Sequence, residues 1–75
     1  MEIRVKLMGL LKQRMPPEGR LSLDDAATIG DALSALQIPR ESVQVFSVNG
    51  ALVRDSSHTL LDGDELTVLP PVGGG

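Results

Sequence analysis

The stretch VQVFSVNGALV, residues 43–53, decides the fold. Asn49-Gly50 stands between two apolar runs. A type I′ hairpin turn needs positive φ at both central residues, and Asn-Gly supplies them at least cost. SVQVFSV, residues 42–48, and ALV, residues 51–53, are therefore two antiparallel strands. Upstream, EIRVKLM at residues 2–8 alternates Ile3, Val5 and Leu7 with Glu2, Arg4 and Lys6, the period of a strand with one buried face. RLSLD at 20–24 alternates again, with Leu21 and Leu23 on one side, and pairs with the first strand as a hairpin. Gly9, Pro16, Pro17 and Gly19 mark the connection as a loop, with LLKQRM inside it able to form a turn. Downstream, Asp62-Gly63-Asp64 is a turn, and ELTVLP is a last strand with Leu66 and Val68 on one face.

A single helix is expected over residues 29–37. Thr28 can cap it, with Asp31 three residues on in a variant of the capping box. Ile29, Ala32, Leu33 and Leu36 then form one apolar stripe. Pro39 stops the helix. The order is strand, strand, helix, strand, strand, strand, an α+β pattern with one helix across one face of one sheet. The expected core is Ile3, Val5, Leu7, Leu23, Ile29, Leu33, Leu36, Leu66 and Val68, with Leu60 and Leu61 closing its bottom. Met8 and Met15 belong to core or loop packing, and His58, in the polar SSHT stretch, is a solvated loop histidine.

Composition narrows the function. The 75 residues carry seven basic and ten acidic side chains, 41% hydrophobic residues, one Phe, and no Trp, Tyr or Cys. A chain this short is one domain, burying about 60% of the surface its unfolded form exposes. Disulfides, thiolate metal sites and a thiol nucleophile are excluded. Net charge of −3 and the lack of a stacking platform argue against nucleic acid. No apolar run approaches the roughly 20 residues of a membrane span, and MEIRVKL is not a signal peptide. A cytoplasmic protein is expected. The DGD turn offers too few oxygen ligands for Ca²⁺ or Mg²⁺, so no metal site is expected.

The chain closes on PPVGGG, Pro70 to Gly75. The prolines stiffen the stem, and the glycines leave one chemical group at the end, the α-carboxylate of Gly75. A carboxylate at neutral pH is a poor electrophile, so its activation must come from outside. No group in this chain has the spacing of a catalytic triad.

Three elements together resemble the ubiquitin-like sulfur carriers of the MoaD/ThiS type: Val48-Asn49-Gly50, Leu61-Asp62-Gly63-Asp64-Glu65, and Pro70-Pro71-Val72 followed by Gly74-Gly75. That family includes the small subunit of molybdopterin synthase and the thiamin-pathway sulfur carrier. The PPV-x-GG ending is closer to the molybdopterin branch. The resemblance implies a β-grasp fold with a four- to five-stranded mixed sheet, its first and last strands adjacent and parallel. It implies a carrier rather than an enzyme. An E1-like adenylyltransferase spends ATP on the Gly75 carboxylate, and a sulfur donor turns it into a thiocarboxylate. The tail then delivers sulfur to a second partner, here the molybdopterin synthase large subunit. No bound cofactor is expected.

The domain is accordingly drawn as residues 1–70, with 71–75 a flexible tail. Gly75 is the reactive residue, and Gly73 and Gly74 guide it. Phe46, Leu69, Pro70, Pro71 and Val72 are candidates for seating the partner. Phe46 and its neighbour Val45 point to opposite faces of their strand, and Phe46 is placed on the face away from the helix. A thiamin carrier and a ubiquitin-like protein modifier are the alternatives.

Overall fold

The structure, a computed structural model, describes residues 1–71. Five strands form one mixed sheet: β1 (Glu2–Leu7), β2 (Arg20–Ser22), β3 (Val45–Val48), β4 (Ala51–Val53) and β5 (Glu65–Leu69). Their order across the sheet is β2-β1-β5-β3-β4. β1 and β5 are parallel neighbours in the middle, with Val5 opposite Leu66 and Leu7 opposite Val68. All other pairs are antiparallel. This is the β-grasp arrangement. Asn49 and Gly50 have φ of 53° and 87°, so the hairpin turn has the expected hand. LLKQR of the LLKQRM stretch falls in a 3₁₀ segment, Gly9–Arg14, with Met15 as its extended cap.

One α-helix, α1 (Ile29–Ala35), crosses one face of the sheet. Its first four N–H groups lack helical partners, and all four find acceptors. Ile29 and Gly30 donate to the carbonyls of His58 and Ser56 at 3.0 and 2.8 Å. Asp31 donates to Thr28 Oγ1 at 3.2 Å, whereas the Ala32 N–H, bonded to the Thr28 carbonyl at 3.1 Å, makes the first bond of the helix itself. The Asp31 carboxylate accepts in return from the Thr28 N–H at 2.9 Å, completing the capping box. The connector from β4 to β5 thus doubles as a cap. Within it, Ser57 donates from its hydroxyl and its backbone to Asp55, holding that carboxyl below its ordinary value. His58 is exposed in the same connector.

The helix is shorter than the expected 29–37, because it ends on its own backbone before Pro39 acts. Gln37 adopts φ of 60°, its N–H meets the Ser34 carbonyl at 3.1 Å, and Ile38 N–H meets the Leu33 carbonyl at 2.9 Å. That is a Schellman closure with glutamine where glycine is usual.

The core is larger than the expected set. Ile3, Val5, Leu7, Ile29, Leu33, Leu36, Leu66 and Val68 are buried, while Leu23 is half-buried at its edge. Phe46 joins them at 0% exposure, which overturns its placement on the far face. It lies opposite Val68 on one side and Val53 on the other, so it shares the parity of the helix-facing row. Val45, opposite Leu69, is the residue that faces away. The Arg40 guanidinium covers the Phe46 ring at 5.0 Å. Leu60 closes the core as expected, but Leu61 is 68% exposed, since neighbours in an extended chain point opposite ways. Met8 and Met15 are surface residues.

Two of the sequence signals turn out to be halves of one device. Asn49 Nδ2 donates to Asp64 Oδ1 at 2.9 Å, and Asn49 Oδ1 accepts from the Glu65 N–H at 2.9 Å. Asp64 Oδ2 accepts from the Leu61 N–H at 2.9 Å. The Asp64 carboxylate is buried and both its oxygens are used. It therefore pins the Asn-Gly hairpin to the turn that starts β5.

Two outcomes are expected in urea unfolding. Leu33→Ala should cost about 2–5 kcal/mol through its cavity. Asp64→Ala strands the Asn49 amide and the Leu61 N–H and should cost about 1–3 kcal/mol. An Asp64→Ala chain as stable as the parent would show that the pin is ornamental.

Candidate functional site: the exit of the C-terminal strand

Because β1 and β5 run parallel, their C-terminal ends emerge at the same edge of the molecule. Met8 N–H donates to the Val68 carbonyl at 3.2 Å, and Gln44 N–H donates to the Leu69 carbonyl at 2.8 Å. Leu69 is the last residue of β5. Pro70 and Pro71 follow, and neither has an N–H with which to extend the ladder. The prolines end the sheet and release the chain.

Gly9 fixes where Pro70 lies. It has φ of +58°, and a Cβ there would stand 3.0 Å from Pro70 Cγ. Both facts call for glycine: side chains rarely adopt that conformation, and the proline ring already occupies the space. Nothing in the loop-like reading of residues 9–19 indicated this contact.

Beyond Gly9 the 3₁₀ segment brings Leu10, Leu11 and Arg14 up to Ile38, Pro39 and Ser42. With Pro70 and Pro71 these residues line an open groove of about 440 Å³. Leu10 is 82% exposed. On the sheet face away from the helix, half-buried Val45 and Leu69 sit opposite each other close to the same edge. Leu52, opposite Ser47, is a further exposed leucine of that face.

Of the expected partner-seating residues, Leu69, Pro70 and Pro71 are thus gathered at the exit, and Phe46 is not. Val72, Gly73, Gly74 and Gly75 lie outside the described residues. Leu10 and Arg14 belong to the exit region and were not singled out in the sequence, and Val45 was named there only as the neighbour on the opposite face from Phe46. Among the described residues no group of three or more His, Asp or Glu could hold a metal ion. No helix among them is long and apolar enough to cross a membrane.

Comparison with known proteins places this geometry. The family model described as "ThiS family" matches residues 5–75. No curated protein sequence matches the chain. Among solved structures, SAMP1 of Haloferax volcanii superposes with a TM-score of 0.75 at 26% identity, over 100% of both chains. The complex of subunits 1 and 2 of the molybdopterin-converting factor of Helicobacter pylori 26695 gives 0.63 at 26% identity, again over 100% of both chains. A putative molybdopterin-converting factor subunit 1 of Pyrococcus furiosus shares the fold, with a TM-score of 0.73 at 23% identity over 96% of this chain and 99% of that one. The chain belongs to the ThiS family, the ubiquitin-fold group of sulfur carriers and modifiers.

Proposed function

We propose that this protein is a sulfur carrier acting as the small subunit of a molybdopterin synthase. The carboxylate of Gly75 is its working group. An E1-like partner joins that carboxylate to AMP from ATP, releasing pyrophosphate. A sulfur donor then displaces AMP, and the terminal oxygen lost with AMP is replaced by sulfur, giving a thiocarboxylate. The protein contributes no catalytic side chain to these steps. It holds the tail at a fixed point and presents a surface for the partner that performs them.

The observation that carries this reading is the exit itself. A strand in the centre of the sheet ends on two prolines, and one of them is held against Gly9. Three glycines then precede the carboxylate. A tail without Cβ atoms suits a narrow channel. A stem anchored by proline limits the entropy lost on insertion. The likeness to a converting-factor complex of two subunits supports a large-subunit partner. The likeness to SAMP1 favours a second reading, a modifier in which Gly75 forms an isopeptide bond with a lysine. A thiamin-pathway carrier would use the same chemistry with a different acceptor.

Adenylation by the cognate E1-like enzyme, followed as ATP-dependent pyrophosphate release, tests the tail geometry. Deleting Gly75 moves the carboxylate back by about 3.3–3.6 Å. A misplacement of ~1 Å can already cost ~10²-fold in rate. The deletion should therefore abolish most turnover and leave the urea midpoint unchanged. One residue appended after Gly75, or Gly74→Val, should do the same. Gly9→Ala should slow adenylation by displacing Pro70, and it should also cost about 1–2 kcal/mol of stability through its left-handed backbone. Equal rates for the parent and the Gly75 deletion would leave the tail with no part in the chemistry.

A further inference from the structure

Asn49 is the only asparagine in the chain, and the residue after it has no Cβ. An asparagine followed by glycine is open to attack by its own backbone. The Gly50 nitrogen bonds to the Asn49 Cγ, the Cγ–Nδ2 bond breaks, and ammonia leaves with the Gly50 proton. The five-membered succinimide that results takes up one water and opens to aspartate or isoaspartate. Glycine matters because a side chain there would crowd the attacking nitrogen. The turn tip is in solvent: both residues are exposed, and a Cβ on Gly50 would meet nothing within 4 Å. Water and base therefore have access.

The fold opposes this reaction in two ways. The carboxamide is held at both ends, its Nδ2 by Asp64 Oδ1 and its Oδ1 by the Glu65 N–H, each at 2.9 Å. The Asn49 N–H is bonded to the Glu65 carbonyl, also at 2.9 Å. Side chain and backbone are thus both tied to the start of β5. The turn is the second obstacle. Ring closure needs the Gly50 nitrogen eclipsed with the Asn49 Cβ. With positive φ at both residues the turn is of type I′, in which ψ of the first central residue is about +30°. That conformation sets the nitrogen nearly trans to Cβ, far from Cγ.

We propose that Asn49-Gly50 is a self-modification site concealed by the Asp64 pin, and that it reacts when the hairpin parts from the turn before β5. The product does not fit back. An ionised acid at position 49 has nothing to donate. Its carboxylate would face the buried Asp64 carboxylate across the same 2.9 Å contact, where two like charges repel. Isoaspartate also adds a backbone atom to a two-residue turn and disturbs the register that the turn sets. One opening is thus recorded for the life of the chain. This inference concerns the hairpin alone and does not rest on the sulfur-carrier reading.

Conversion is followed by intact mass on the 75-residue chain at mildly alkaline pH, as the mass difference between an amide and an acid, with fragmentation to place it at residue 49. The chain should convert at least about tenfold faster in denaturing urea than in buffer, because the native turn must open first. Asp64→Ala, shown to be folded by circular dichroism, should convert roughly tenfold faster than the parent in buffer, since it frees the carboxamide. Equal rates for the parent in buffer and in urea overturn the concealment, and that comparison needs no variant. A folded Asp64→Ala chain no faster than the parent overturns the part given to Asp64. Asn49→Asp writes the product into the sequence, and its β3 and β4 amides should exchange with solvent faster than the parent's. Hairpin protection equal to the parent's would mean that the modified chain pins again, and would overturn a one-way record.

Discussion

The parallel pairing of β1 with β5 is the constraint on which the rest of the molecule depends. Parallel neighbours cannot be joined by a tight turn, so everything between them must travel around the sheet. The chain uses that path to lay down β2, the helix, β3 and β4. The pairing also buries Val5 and Leu7 beside Leu66 and Val68, the middle of the core. Most of all, it places the end of β5 beside the end of β1. The tail therefore leaves from the best-supported strand of the sheet, next to the glycine that seats Pro70.

Polar chemistry sets the register of that pairing. Asp64 reaches Asn49 and the Leu61 N–H, and its carbonyl accepts from Arg4 N–H at 2.8 Å. Asp62 accepts from Glu2 N–H at 2.7 Å, and Gly63 N–H donates to the Glu2 carbonyl at 2.8 Å. One turn thus contacts the start of β1 and the hairpin of β3 and β4 together. In a domain whose core holds a single aromatic residue, such bonds matter more than their individual size. A slip of one residue would turn every buried side chain to the wrong face.

Much of this could be read from the residues. Asn49-Gly50 encodes its turn because the backbone there has few alternatives. Thr28 and Asp31 encode the helix start through a local exchange of hydrogen bonds. The stripe Ile29, Leu33 and Leu36 encodes its buried side. What could not be read was set by tertiary contacts. Val45 and Phe46 each fit an alternating pattern, and only the pairing of β3 with β5 decides which one faces the helix. The helix end at Gln37 has no glycine to announce it. At the site, the glycine ending and the prolines were visible in the sequence. Their support was not, since Gly9 and Pro70 are far apart in the chain and meet only through the parallel strands. The groove lined by Leu10 and Arg14 is hidden for the same reason.

On the proposed function, the protein holds a carboxylate for others to use. The most direct measurement is the intact mass of the 75-residue chain after incubation with an E1-like enzyme, ATP and a sulfur source. A carrier gains the mass difference between sulfur and oxygen, localised by fragmentation to Gly75. A mass that stays unchanged, or a sulfur found anywhere but on the terminal carboxyl, would contradict the account.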